Sequence, residues 1–167
     1  VYASLYQVWG APTFQSISNS EQAHMDALKV LLSAYGVADP DNGVVGSFTN
    51  PDLQALYDQL VAQGSVSLAE AYKVGGAIEE IDILDLQERL AETDNADIQQ
   101  VYNNLLSGSF NHLRAFSNAL FNQTGETYQP QYLSAEAYAE ALASTPGNGG
   151  TNGNSQRGAG GGLRDVE

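Results

Sequence analysis

FQSISNSEQAHMDALKVLLSAYG, residues Phe14–Gly36, is the stretch that decides the fold. Wound at about 100° per residue, it places Phe14, Ile17, Glu21, His24, Leu28, Leu31, Leu32 and Tyr35 on one stripe. Six of these belong in a core. Glu21 and His24 are polar, lie three residues apart, and face the same way as the leucines. A helix that aims a carboxylate and an imidazole into its apolar stripe needs a reason, because a buried charge is costly unless it is paired or bound to a metal.

The same winding finds two more such faces. Leu68, Tyr72, Gly75, Glu79, Ile83, Leu86 and Leu90 share one, with Glu79 as the polar intruder and Asp82 flanking it. Ile98, Tyr102, Leu105, Ser109, His112, Leu113, Phe116 and Leu120 share another, with Ser109 one turn before His112. The chain has 2 histidines, and both sit in apolar helical stripes. Glu-x-x-His at i, i+3 puts both side chains on one helix face, and carboxylate-bridged bundles use that motif to hold metal. Glu21–His24 is a complete motif, whereas Ser109–His112 has serine where the glutamate would stand. The metal reading therefore takes Glu21, His24, Glu79 and His112 as ligands. Its competitor is a polar core network in which Glu21 and His24 pair with His112 and tyrosines. Asp82, Asp85, Glu88 and Glu92 read as a solvated face, and Tyr2, Tyr6, Tyr35, Tyr57 and Tyr72 as packing residues with a polar tip.

Punctuation between these faces gives an all-α layout. Val1–Val8 is helix-compatible and has no N-terminal cap, so it reads as the last turns of a helix whose start is missing. Gly10, Ala11 and Pro12 break the chain, and a helix follows from about Thr13 to Tyr35 with Gly36 as its C′ residue. Residues 37–49 read as a loop. Asn50 and Pro51 open a short helix that Gly64 ends. Ser67–Glu70 has capping-box spacing and starts a long helix to Glu92. Another runs from about Ala96 to Asn122, and a last one follows Ser134. Residues 145–167 are Gly/Asn-rich with few apolar side chains, and are expected to form a flexible tail beside a helical domain at 1–144. One long crossover, with a short helix inside it, is the topology of ferritin-like four-helix bundles; an irregular all-α domain is the alternative.

Composition narrows the partners. A formal charge of −14 repels nucleic acid and anionic lipid. The absence of cysteine removes disulfides, thiolate nucleophiles and cysteine-based zinc sites. No apolar run approaches the roughly 18 residues of a membrane span. No nucleophile elbow or phosphate loop points to a small-molecule substrate. The chain starts at Val1 rather than Met, with few lysines, and an exported or extracellular location is the expectation over a cytoplasmic one.

The blocks VYASLYQVWGAPTFQSISNSEQAHMDALKVLLSAYG, NPDLQALYDQLVAQGS, AIEEIDILDLQ, NLLSGSFNHLRAF and YQPQYLS together resemble a ferritin-like family of bacterial and archaeal proteins, catalogued as a domain of unknown function. The resemblance runs from Val1 to about Ser144 and implies a ferritin-like four-helix bundle. In that family a glutamate-rich stretch precedes the block matching VYASLYQ; this sequence lacks it, so its first helix reads as truncated. The positions matching the ferritin-like site are Glu21, His24, Glu79 and His112, with Glu80 competing with Glu79. Two carboxylates and two histidines suit one divalent metal, iron or zinc, better than a redox pair. The expected function is a metal-binding protein, at most a ferroxidase- or peroxidase-like di-iron oxidoreductase. The alternative is a self-associating structural or assembly subunit, of an extracellular filament or oligomer, with a reduced or vestigial site.

Overall fold

A computed structural model of the protein describes residues 1–144. The expected tail at 145–167 lies outside the described residues. The fold is all-α, with six helices and no strand among the described residues: α1 (Tyr2–Trp9), α2 (Pro12–Ala34), α3 (Pro51–Gly64), α4 (Leu68–Glu92), α5 (Ala96–Thr124) and α6 (Ala135–Ala143).

Local chemistry sets most of the ends. Asn50 accepts from the backbone N–H groups of Asp52 and Leu53, Ser67 from that of Glu70, and Ser134 from that of Ala137. These are N-cap bonds, each worth about 1 kcal/mol. Gly10, Gly36 and Gly125 take positive φ of 61°, 67° and 76° just past helix ends, where a Cβ would be strained. Pro12 opens α2, one residue earlier than the expected Thr13, and α5 runs two residues past the expected Asn122.

Helices α1 and α2 are joined by Gly10 and Ala11, and α4 and α5 by Thr93–Asn95, so each pair packs antiparallel. Helix α2 also packs on α5, and α4 on α1, while α3 covers α4 and α1, and α6 lies on α5. Leu5, Phe14, Val74, Ile83, Leu113, Phe116 and Leu120 are the fully buried heart of the core. Burying a side chain the size of Phe14 or Phe116 contributes about 2–3 kcal/mol. Gly75 lets α4 and α5 meet, because a Cβ there would lie 2.6 Å from Phe116 Cε1.

The core occupies one end of the helix array. Helix α1, with 8 residues, spans ~12 Å, whereas the 23 residues of α2 span ~34 Å. Toward the C-terminal end of α2 the expected stripe is less buried: Leu28, Leu31 and Leu32 are half-buried, and Tyr35 is 48% exposed. The polar residues of interest lie where the covered and uncovered halves meet.

Candidate metal centre

Glu21 comes from the middle of α2, Glu79 from α4 and His112 from α5. One ligand atom from each lies within 4.8 Å of the others. His112 Nδ1 is 2.8 Å from Glu21 Oε1 and 3.5 Å from Glu79 Oε1. Neither carboxylate forms an aligned hydrogen bond to Nδ1, and Glu79 Oε2 is likewise buried without a partner. The other ring nitrogen, Nε2, lies 3.0 Å from Ser20 Oγ, which can accept its proton. That partner fixes the ring with Nδ1 turned toward two carboxylates, so that a neutral His112 would offer a metal its Nδ1 lone pair, a common support for a metal-bound histidine. Tyr2 donates its hydroxyl to Glu79 Oε1 at 2.6 Å.

The electrostatics need a cation or a proton at the centre. Glu79 is fully buried, and burial raises its pKa above the usual carboxylate range. Burial would also raise Glu21, but contacts with His112 and His24 outweigh it and hold the carboxyl at about 2. Burial disfavours the charged His112, yet Glu21 and Glu79 together lift it to about 9. In the metal-free protein near neutral pH, His112 therefore carries the proton that keeps the carboxylates together. A divalent cation can replace that proton.

Of the four predicted ligands, Glu21, Glu79 and His112 come together. His24 sits just outside that group. Its Nδ1 is 3.2 Å from Glu21 Oε2, its ring is 5.7 Å from that of His112, and it fills the notch at Gly108, where a Cβ would lie 2.4 Å from its Cε1. Here His24 orients Glu21. Glu80 has a different task. Its fully buried carboxylate accepts from the backbone N–H groups of Gln131, Tyr132 and Leu133 and from the Tyr128 hydroxyl, pinning the loop before α6 to α4.

Two residues that sequence reading assigned elsewhere adjoin the site. Tyr2, expected to pack with a polar tip, donates that tip to Glu79. Asp82, expected on a solvated face, is half-buried, and its pKa rises to about 8 through burial and the neighbouring charges of Glu79 and Glu21. Its spacing of three residues from Glu79 was the available signal. Asp82 lines a cavity of about 290 Å³ with Glu21, His24, Asp85, Arg89 and Ser109, through which the centre meets solvent. Arg89 on that rim is held by Asp85 and Glu92, at 3.3 and 2.6 Å.

Known proteins share this arrangement of chain. An uncharacterized protein of Methanocaldococcus jannaschii, MJ0754, is 47% identical over 150 residues, covering 89% of this chain and 80% of its own. The crystal structure of hypothetical protein MJ0754 aligns with a TM-score of 0.82 at 46% identity, over 87% of this chain and 83% of that one. A family described as an uncharacterized protein domain, DUF2202, matches residues 1–145, and the chain belongs to that family.

Proposed function

We propose that this protein is a ferritin-like metal-binding protein whose helices α1, α2, α4 and α5 form the bundle and whose core centre takes a divalent cation, iron or zinc. The observation that carries the reading is the convergence of Glu21, Glu79 and His112 around two ligand atoms without hydrogen-bond partners, His112 Nδ1 and Glu79 Oε2. Mixed imidazole and carboxylate ligands suit zinc or iron. Iron bound there would supply one-electron chemistry toward dioxygen or peroxide. The chain's own part is to hold the ion with Glu21, Glu79 and His112, to orient the ligands through Tyr2, Ser20 and His24, and to admit solvent from the Asp82 side.

The test is metal content by plasma mass spectrometry on protein isolated without added metal or chelator, with equilibrium dialysis against zinc and ferrous iron. At least one ion per chain, lost in Glu21→Ala/His112→Ala, is expected. No bound ion under either condition, with unchanged stability in the variant, overturns the reading.

A second reading, a self-associating structural subunit, is favoured by the uncovered stripe. Leu28, Leu31, Leu32, Tyr35, Ile98 and Tyr102 line an apolar groove of about 370 Å³ toward the C-terminal end of α2. A helix from a second copy laid there would complete the packing. A concentration-dependent dimer by light scattering, abolished by Leu32→Glu, is the expected result; a monomer at every concentration removes this reading.

A further inference from the structure

The cavity beside the centre has a polar floor and apolar walls. Three helices line it, each with a polar residue at or beside the centre and apolar residues further along the same face. On α2 the order is Glu21, Met25, Leu28; on α5 it is Ser109, Leu105, Tyr102; on α4 Leu86 follows Asp82. The floor is short of donors. Ser109 is 4% exposed, and its hydroxyl makes no hydrogen bond among the described residues. Ser117 and Thr124, on the same helix, instead bond back to the carbonyls of Leu113 and Leu120. Asp82 is half-buried and likewise makes no hydrogen bond or ion pair among the described residues. The neighbouring donors are engaged: Arg89 on the rim is held by Asp85 and Glu92, and His24 faces Glu21. No lysine lines the cavity. A buried hydroxyl and a carboxyl that the fold leaves without partners, both lining one cavity, need an explanation from outside the chain.

Charge and shape together choose the guest. An anion would meet Glu21, Asp82 and Asp85, with the one arginine already paired, and is repelled. A wholly apolar guest would fit the leucines but leave Asp82 and Ser109 without a donor. A primary ammonium brings three donors and a charge of the required sign. Its carbon chain fits beside Met25, Leu28, Leu86 and Leu105. At about 290 Å³ the cavity lies just under the ~300–1,000 Å³ typical of ligand pockets, so the guest is a small molecule.

We propose that this cavity binds a small organic ammonium, its nitrogen donating to Asp82 and Ser109 and its alkyl body lying between α2, α4 and α5. Neither Asp82 nor Ser109 belongs to the Glu21, Glu79 and His112 group, so the site does not depend on the metal-binding reading. A guest held there stands in the opening through which the centre meets solvent.

The probe is n-hexylammonium, titrated calorimetrically into chelator-treated protein at pH 9, where Asp82 is ionised and the amine, like lysine, keeps its proton. Hexan-1-ol and hexanoate are the neutral and anionic controls of equal chain length. One hexylammonium per chain is expected at a dissociation constant of about 1 mM or tighter, with hexanol about tenfold weaker or more and hexanoate not bound. Asp82→Asn should weaken hexylammonium about tenfold or more and Ser109→Ala about threefold. Glu88→Gln, which removes an exposed charge outside the cavity, should change it by less than about twofold. No binding of hexylammonium to wild type overturns the proposal, and so does hexanol binding equally well. Unchanged affinity in Asp82→Asn, or an equal loss in Glu88→Gln, reduces the effect to diffuse attraction by an acidic surface and also overturns it. If Asp82→Asn does not fold, Ser109→Ala and the hexanol comparison on wild type decide the matter. No metal is present in the assay, so its failure leaves the metal-binding reading to its own test.

Discussion

Replacing Asp82 by asparagine should make the metal-free protein more stable at high pH and leave it unchanged at low pH. The ordinary aspartate pKa of 3.8 rises to about 8 in the folded chain. Below about pH 3 both states keep the proton, so Asp82 contributes almost no pH dependence. Between the two values the unfolded carboxyl ionises while the folded one stays protonated. The folded state then binds more protons, and its stability falls as pH rises, levelling off above pH 8. At about 1.4 kcal/mol per unit, the full loss is ~6 kcal/mol. Asp82 lines an open cavity, so relaxation toward water reduces this to about 2–3 kcal/mol. Asparagine is neutral throughout and has nearly the same shape. The titrations of Glu21 and His112 occur in both proteins and largely cancel in the difference.

The assay is urea unfolding of chelator-treated protein, followed by far-ultraviolet circular dichroism from pH 3 to 9. Wild type and Asp82→Asn should agree within about 0.5 kcal/mol at the acid end and separate by about 2–3 kcal/mol at pH 9, with the variant more stable. Parallel curves across the pH range would refute the reasoning, because they would mean that Asp82 is solvated after all.

Metal binding itself should strengthen with pH: His112 at about 9 holds a proton that the cation must displace, so apparent affinity measured by dialysis should climb up to about tenfold per unit from pH 6 to 8 and flatten above 9. Glu80→Ala strands three backbone donors and the Tyr128 hydroxyl, and should cost about 3–5 kcal/mol in urea unfolding while the metal count of the folded protein stays unchanged. Gly108→Ala forces His24 out of its notch, so it should weaken metal binding several-fold at unchanged stoichiometry, with a net stability change within about 1–2 kcal/mol as strain opposes the gain in helix propensity. An unchanged affinity would show that His24 has no hold on Glu21.

Much of the fold was legible because helix ends are local chemistry. Asn50, Ser67 and Ser134 cap what they should cap, and Gly10 and Gly36 stop what they should stop. The stripe of α2 was legible only as a stripe. Periodicity tells which residues share a face, but not what packs on it. Leu28 to Tyr35 thus carry core chemistry at a half-open surface. The site had the same limit. Glu21 and His112 stood out as polar residues among apolar ones. Asp82 did not, since a helical wheel reads it as the edge of a polar face, and only the third dimension puts Glu79 and Glu21 beside it. Tyr2 was legible as a core aromatic, but its hydrogen bond to Glu79 spans 77 residues of sequence.

Glu79 and Glu80 together make the strongest internal argument for a cation. They are consecutive, both on α4, and both fully buried. Helix geometry turns them about 100° apart, so they enter different surroundings. Glu80 meets three backbone N–H groups and a hydroxyl, all aimed at its two oxygens. The fold has built that carboxylate a complete set of donors, and nothing further is needed to explain its burial. Glu79 receives one hydroxyl on Oε1, faces a histidine nitrogen without an aligned bond, and keeps Oε2 bare. The same chain, one residue away, shows what satisfaction by protein groups looks like, and Glu79 does not have it. A proton on His112 meets part of the deficit in the metal-free protein. A divalent ion between Glu79, Glu21 and His112 would meet it more fully.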